Sequence, residues 1–301
     1  MKRITFAISF CLILAFLNEA KASDTLVINE ARLFCEVDFS IHGIAFDNQH
    51  LMFVGGGKKI YTITPDKKVE HFITLDDTTE NTMIWSLQFG PDQALYVAAK
   101  DRVLRISPEG EQTVIIKEPF PGPAGVTDLR FDQNGDLFIV YDNVLAKCDA
   151  NYQKQIIIDG SQFVPPLEWL VGIEFSSHFK KLYLGDCSGK YAHVVSWLPE
   201  ECIDESQSFP TNWGQYFAKD NLGNVYITSL GTEPTWPDFV MITPDNNRVD
   251  IYSRNRVLQN RENHKKAMAW GKTGFNEHAI YCIIGNRIYE YDLKATSWLE
   301  Q

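Results

Sequence analysis

The chain lacks the short signatures on which most catalytic readings rest. It has no GxSxG, no HExxH and no GxGxxG, so a serine on a strand-to-helix elbow, a helix-borne zinc pair and a dinucleotide loop are all without support. The one glycine run, Gly55-Gly56-Gly57, falls between two strand-like segments and reads as a hairpin turn. Positive charge is scarce as well. With 28 Lys and Arg against 39 Asp and Glu, the net charge is −11. That argues against nucleic acid and anionic membrane as partners, and suits a cationic ligand, a metal ion or simple solubility. The six cysteines show no CxxC or CxxxH spacing, which leaves a cysteine-built zinc or redox site unsupported. No Asn-x-Ser/Thr occurs, a lean toward a bacterial periplasm over a eukaryotic secretory route.

Long apolar runs are missing too, apart from a short one at the start. Ile4 to Leu17 follows Lys2 and Arg3 and precedes Ala20-Lys21-Ala22, the charged, apolar and small-residue regions of an export signal. A run of about 14 residues is too short for a stable spanning anchor. Residues 1–22 are therefore expected to be a cleaved signal peptide and 23–301 a single domain, exported to the periplasm or secreted and acting as a monomer. Loss of Lys2, Arg3, Lys21 and Glu19 takes the net charge from −11 to −13. Export permits disulfides. Cys35, Cys148, Cys187, Cys202 and Cys282 remain, an odd number, with Cys187–Cys202 and Cys35–Cys282 as the pairings to consider.

What the sequence has in abundance is repetition. An apolar strand ending in an aromatic, a turn, a second apolar strand, a short break and a third strand recur six times, as in GIAFDNQHLMFVGGGKKIYTITPD from Gly43 and DLRFDQNGDLFIVYDNVLAKCD from Asp128. Phe46, Phe89, Phe131, Phe175, Lys219 and Trp270 mark the copies, at steps of 43, 42, 44, 44 and 51 residues. Turns such as Pro65-Asp66 then lead to a fourth run, as at Val69–Leu75 and Arg248–Tyr252. This period and strand count predict an all-β fold, a six-bladed β-propeller of four-stranded antiparallel blades. The sixth copy has only three strands, so the segment Leu26–Cys35 is expected to supply its outer strand and join the termini. Seven blades would need about 43 residues more.

The phrase apolar-Phe-Asp-x-x-Gly-x-Leu-Tyr-Val, closing on Pro-Asp/Glu-Gly, resembles the six-bladed propellers of the SMP-30/gluconolactonase and NHL-like group, and the resemblance covers essentially all of 23–301. It is specific for fold and weak for activity, because the phrase consists of packing and turn residues. In the lactonase branch the resemblance implies a divalent metal, usually calcium, held four residues before each aromatic marker. Those positions here are His42, Trp85, Thr127, Val171, Gln215 and Lys266. None is a carboxylate. His42 stands where the family has glutamate, Val171 where it has asparagine and Gln215 where it has aspartate, so the ligands expected for calcium are missing unless Asp128, Glu174 or Glu168 takes over by a shift of register.

Two functions remain open. One is a binding module without chemistry, holding a small molecule or a protein on the loops that lead into the inner strands. Its ligand-binding candidates are His42, Trp85, Thr127, Trp169, Asn212, Trp213, Gln215, Trp236 and Lys266, an aromatic and amide-rich set suited to a sugar-like or partly apolar ligand. The other is a lactonase or esterase type of hydrolase with an altered site, for which His42, Asp128 and Glu174 are the catalytic candidates. Against that, Arg130 shares the third repeat with Asp128 and offers both acids an ion pair. Of the seven histidines, His50, His71 and His178 fall in turns or outer strands, and His42 alone is expected at the channel mouth.

Overall fold

The computed structural model describes residues 24–76, 82–117, 120, 125–162, 166–167, 169–176, 181–186, 191–196, 202–203, 209–210, 216–229, 236–255, 265–294 and 297–298. Two strands come first, β1 (Asp24–Ile28) and β2 (Arg32–Glu36). The first repeat gives β3 (Gly43–Phe46), β4 (Met52–Gly56), β5 (Lys59–Ile63) and β6 (Val69–Thr74); the second gives β7 (Ile84–Phe89), β8 (Leu95–Ala99), β9 (Arg102–Ile106) and β10 (Gln112–Lys117). The third gives β11 (Val126–Phe131), β12 (Leu137–Tyr141), β13 (Val144–Cys148) and β14 (Lys154–Asp159). The fourth holds β15 (Leu170–Phe175), β16 (Lys181–Asp186), β17 (Tyr191–Ser196), β18 (Cys202–Ile203) and β19 (Phe209–Pro210). The fifth holds β20 (Phe217–Lys219), β21 (Val225–Thr228), β22 (Phe239–Ile242) and β23 (Arg248–Ser253), and the sixth β24 (Lys265–Trp270), β25 (Ala279–Ile284) and β26 (Arg287–Asp292), before a final β27 (Ser297–Trp298).

Each repeat folds as an antiparallel meander, and the fold is an all-β propeller with four-stranded blades. The second strands β4, β8, β12 and β25 are buried along their whole length, which requires neighbours on both faces and explains their unbroken apolar sequence. Six apolar cores follow, each shared by two consecutive sheets. Ile84 and Leu95 pack on Ala45 and Phe53 between the first two sheets, and Tyr281 and Ile283 pack on Ile44 and Val54 between the last and the first. The inner strands β3, β7, β11, β15, β20 and β24 touch in that cyclic order, with β24 returning to β3.

Five regular blades are found where the repeats predict six, while strand pairing gives six sheets. The departures from a plain meander fall in the fourth to sixth sheets, where β19, β1, β27 and β2 are added. The expected closing strand is also split. Only Arg32–Glu36 pairs antiparallel with β26, bringing Leu33 opposite Tyr289 and Cys35 opposite Ile288. Asp24–Ile28 instead runs parallel to β23 on the fifth sheet, from Asp24 opposite Val249 to Ile28 opposite Ser253. The Asn255 amide steers the crossing, accepting from the Ala31 N–H (3.0 Å) and donating to the Ala31 carbonyl (2.8 Å) as a strand neighbour would.

The Cys35–Cys282 pairing does not form. β26 lies between β2 and β25, so two strand spacings of about 4.8 Å separate the cysteines, beyond disulfide reach. Cys35 also packs in the core shared with the first sheet and Cys282 in the core shared with the fifth. Cys187 and the Cys202 side chain lie outside the described residues, as does the signal segment.

Candidate functional site

The strand registers define the channel. Phe46, Phe89, Phe131, Phe175, Lys219 and Trp270 each end an inner strand and sit opposite the first or second residue of the next strand: Met52, Leu95, Leu137, Leu182, Val225 and Ile280. The aromatic markers are thus structurally equivalent, and Lys219 is the fifth of them. The motif Asp that follows the marker is a turn residue: the carboxylates of Asp47, Asp132 and Asp220 each accept two backbone N–H groups within the next four residues. The six inner strands begin at one end of the channel, here the leading end, and finish at the other, the trailing end.

At the leading end Trp85, Thr127, Val171 and Tyr216 surround a cavity of about 20 Å³, room for little more than one water. His42 is buried with its ring edge-on to Trp85 (centroids 5.4 Å apart, 90°) and its Nε2 3.4 Å from Ser40 Oγ. The Thr127 hydroxyl is shared between the carbonyls of Leu170 (3.0 Å) and Val140 (3.3 Å), tying the third sheet to the fourth. Trp169 and Trp236 are half-buried and line neither this cavity nor the larger one described below. Asn212, Trp213, Gln215 and Glu168 lie outside the described residues, as does the Lys266 side chain.

The middle of the channel holds a chain of polar and charged side chains drawn from four consecutive blades. Ser86 Oγ donates to Asp128 Oδ1 (2.6 Å), and Arg130 Nη1 donates to the same oxygen (2.7 Å). Arg130 Nε reaches Glu174 Oε2 (3.3 Å), and Lys219 Nζ lies 3.3 Å from Glu174 Oε1 and donates to the Phe175 carbonyl (3.2 Å). Backbone amides complete the set: Leu129 (2.9 Å) and Ile173 (3.0 Å) donate to Asp128, and Phe175 (3.0 Å) to Glu174. Burial pushes the Asp128 carboxyl above the usual carboxylate range, against the opposite pull of Arg130, Ser86 and the two amides. The Arg130 guanidinium is held above its ordinary value: burial works against its charge, and Asp128 and Glu174 outweigh that.

Asp128 and Glu174, the two acids considered as catalysts from the sequence, belong to this one network. Asp128 and Glu174 are brought together, 2.7 and 3.3 Å from one guanidinium, and their oxygens serve that pair and the backbone. Nor do the described residues fit a calcium ion, since the leading positions offer an imidazole, an indole, a committed hydroxyl and a valine in place of several free oxygens. Among the described residues no three of His, Cys, Asp and Glu gather as a metal site.

Sequence reasoning missed the trailing end. There a cavity of about 230 Å³ opens among Gln88, Arg130, Glu174, Lys219, Trp270 and Lys272. The Trp270 ring stacks on Tyr226 (5.2 Å, 18°), whose hydroxyl donates to Asp220 Oδ2 (3.0 Å). The signal was present in the letters: Lys219 is the one marker that is not aromatic, and Arg130 directly precedes another.

No family model matches the sequence, and no curated protein is similar to it at a significant level. Solved structures are similar in fold. A gluconolactonase from Xanthomonas campestris superposes with a TM-score of 0.67 at 11% identity, over 87% of this chain and 89% of its own. Virginiamycin B lyase from Staphylococcus aureus, in a form with quinupristin, gives 0.60 at 13%, over 87% and 97%. A streptogramin B lyase gives 0.59 at 14%, over 86% and 96%. The likeness is one of fold. A propeller shared by a lactonase and by lyases fixes a scaffold, and the chemistry has to come from this chain's own residues.

Proposed function

We propose that this chain is an exported six-bladed propeller that binds a small molecule or a protein on its leading loop face and has no calcium-dependent lactonase chemistry. The observation that carries the reading is the consumption of Asp128 and Glu174 by Arg130 and Lys219. Freeing either acid for catalysis would leave a buried charge uncompensated, at a cost of about 3–5 kcal/mol. Six blades are supported by the six shared cores and the cyclic contacts of the inner strands. Export rests on the composition of residues 1–22. On this reading Trp85, at the start of β7, and Trp169, just before β15, anchor the ligand.

A hydrolase centred on His42 is the alternative, favoured by the Ser40–His42 pair at the mouth of the channel. One experiment separates the two. The mature protein is melted in calcium and in chelator, and assayed with lactones and activated esters. The binding reading expects neither a shift nor turnover. Calcium at about one equivalent with a chelator-sensitive Tm would overturn it, and metal-free turnover abolished by His42→Gln would establish the alternative.

A further inference from the structure

We propose that the trailing-end cavity is a second binding site, for a small organic anion: a carboxylate carried on a flat apolar group. The site is at the opposite end of the channel from the leading loop face and stands whether or not that face binds anything. Its charge is the first argument. Arg130, Lys219 and Lys272 line the cavity against one acid, Glu174. In a chain of net charge −11 this is a local reversal of sign. Arg130 is matched by Asp128 and Lys219 by Glu174, but among the described residues no carboxylate comes within ion-pair distance of Lys272. Asp47 acts on that amine only from a distance, and Lys272 is exposed at the rim of the cavity. A bound anion would gain a charge-assisted contact there that no acid of the cavity already takes.

Shape and surface supply the rest. About 230 Å³ is below the roughly 300–1,000 Å³ of sites for drug-sized ligands, so the occupant is small. Trp270, backed on one face by Tyr226, gives a rigid aromatic wall. Gln88 provides an amide for a carboxylate oxygen.

The test is a ligand-observed NMR titration of the mature protein with benzoate, benzyl alcohol and inorganic phosphate. The proposal expects saturable benzoate binding, about tenfold weaker in Lys272→Gln, whose exposed rim position spares the core, and unchanged in the charge control Lys68→Gln. Benzyl alcohol binds at least as weakly as benzoate does to Lys272→Gln. Absence of saturable benzoate binding overturns the site, and so does binding that Lys272→Gln leaves intact. Phosphate bound as tightly as benzoate overturns the apolar half of the assignment. Benzoate binding lost in Trp85→Phe but kept in Lys272→Gln would move the ligand to the leading end.

Discussion

Replacing Arg130 with methionine tests whether the charged chain, and not packing alone, closes the middle of the channel. The side chains of Arg130, Asp128 and Glu174 are 14, 8 and 10% exposed, so the substitution leaves two nearly dry carboxylates without their shared cation. Removing one partner of a buried pair costs about 3–5 kcal/mol. Glu174 keeps Lys219, which places the expected loss near the lower end, about 3 kcal/mol. Urea unfolding at pH 7, followed by tryptophan fluorescence, should then show a midpoint lower by about 1 M, for an m-value near 3 kcal/mol/M. The pH dependence has a definite sign. The folded Asp128 carboxyl already titrates above the usual carboxylate range because burial outweighs Arg130 and the other donors, and without Arg130 it rises further. The native variant therefore holds a proton that the unfolded chain has released, and its penalty is complete above the folded pKa and fades as the pH falls toward the unfolded value of about 3.9. The deficit relative to the parent protein should be largest at pH 7–8 and narrow toward pH 5. The double variant Asp128→Asn/Arg130→Met should recover part of it at pH 7. A loss below about 1 kcal/mol, or one that is constant from pH 5 to 8, refutes the reasoning.

Asp101 holds the buried Arg102 by a two-point contact, Nε–Oδ1 2.9 Å and Nη2–Oδ2 2.7 Å, which lowers its carboxyl below the usual range. Its contribution is present above the unfolded carboxylate pKa and lost as the pH falls through the folded one. Because Asp101 is 35% exposed, solvent screening limits the cost of Asp101→Asn to about 1 kcal/mol at pH 7, and the deficit should persist at about pH 4 and close only as the pH falls through the lowered folded value. Gln93 occupies a left-handed turn position (φ 63°) where the third and fifth repeats have Gly135 (82°) and Gly223 (86°). Relief of that strain exceeds the added chain entropy, so Gln93→Gly should stabilise by about 0.5 kcal/mol; a lower Tm would count against it. A non-reduced digest should contain no peptide joining Cys35 to Cys282, and mass spectrometry finding one would contradict the sheet order.

The fold was legible because its information is periodic. Phe46, Phe89, Phe131 and Phe175 recur at 42–44 residues since each must end an inner strand and fill the same gap between two blades, and the turns that follow need an Asp or its equivalent to bind free amides. Even Lys219, which breaks the aromatic rule, keeps the register, because spacing on both sides fixes it. The split of the first strands was not legible. Leu26–Ile28 and Leu33–Cys35 carry the same apolar character, and only the parallel seat on β23 and the Asn255 crossing separate their destinations.

The site was harder to see for a related reason. Comparison with a family directs attention to the positions the family uses, which are the leading ends of the inner strands, and there the described residues leave a cavity of only about 20 Å³. The informative residues are those that depart from the repeat without being required by it. A charged residue among inner-strand aromatics costs stability unless it is paired, so a chain that keeps Arg130 and Lys219 must place Asp128 and Glu174 beside them, and those acids read in the sequence as candidate catalysts. Their oxygens are engaged by those cations and by backbone amides. That leaves Lys272, whose charge no acid of the repeat matches, as the residue through which the trailing cavity differs most from a packed propeller channel.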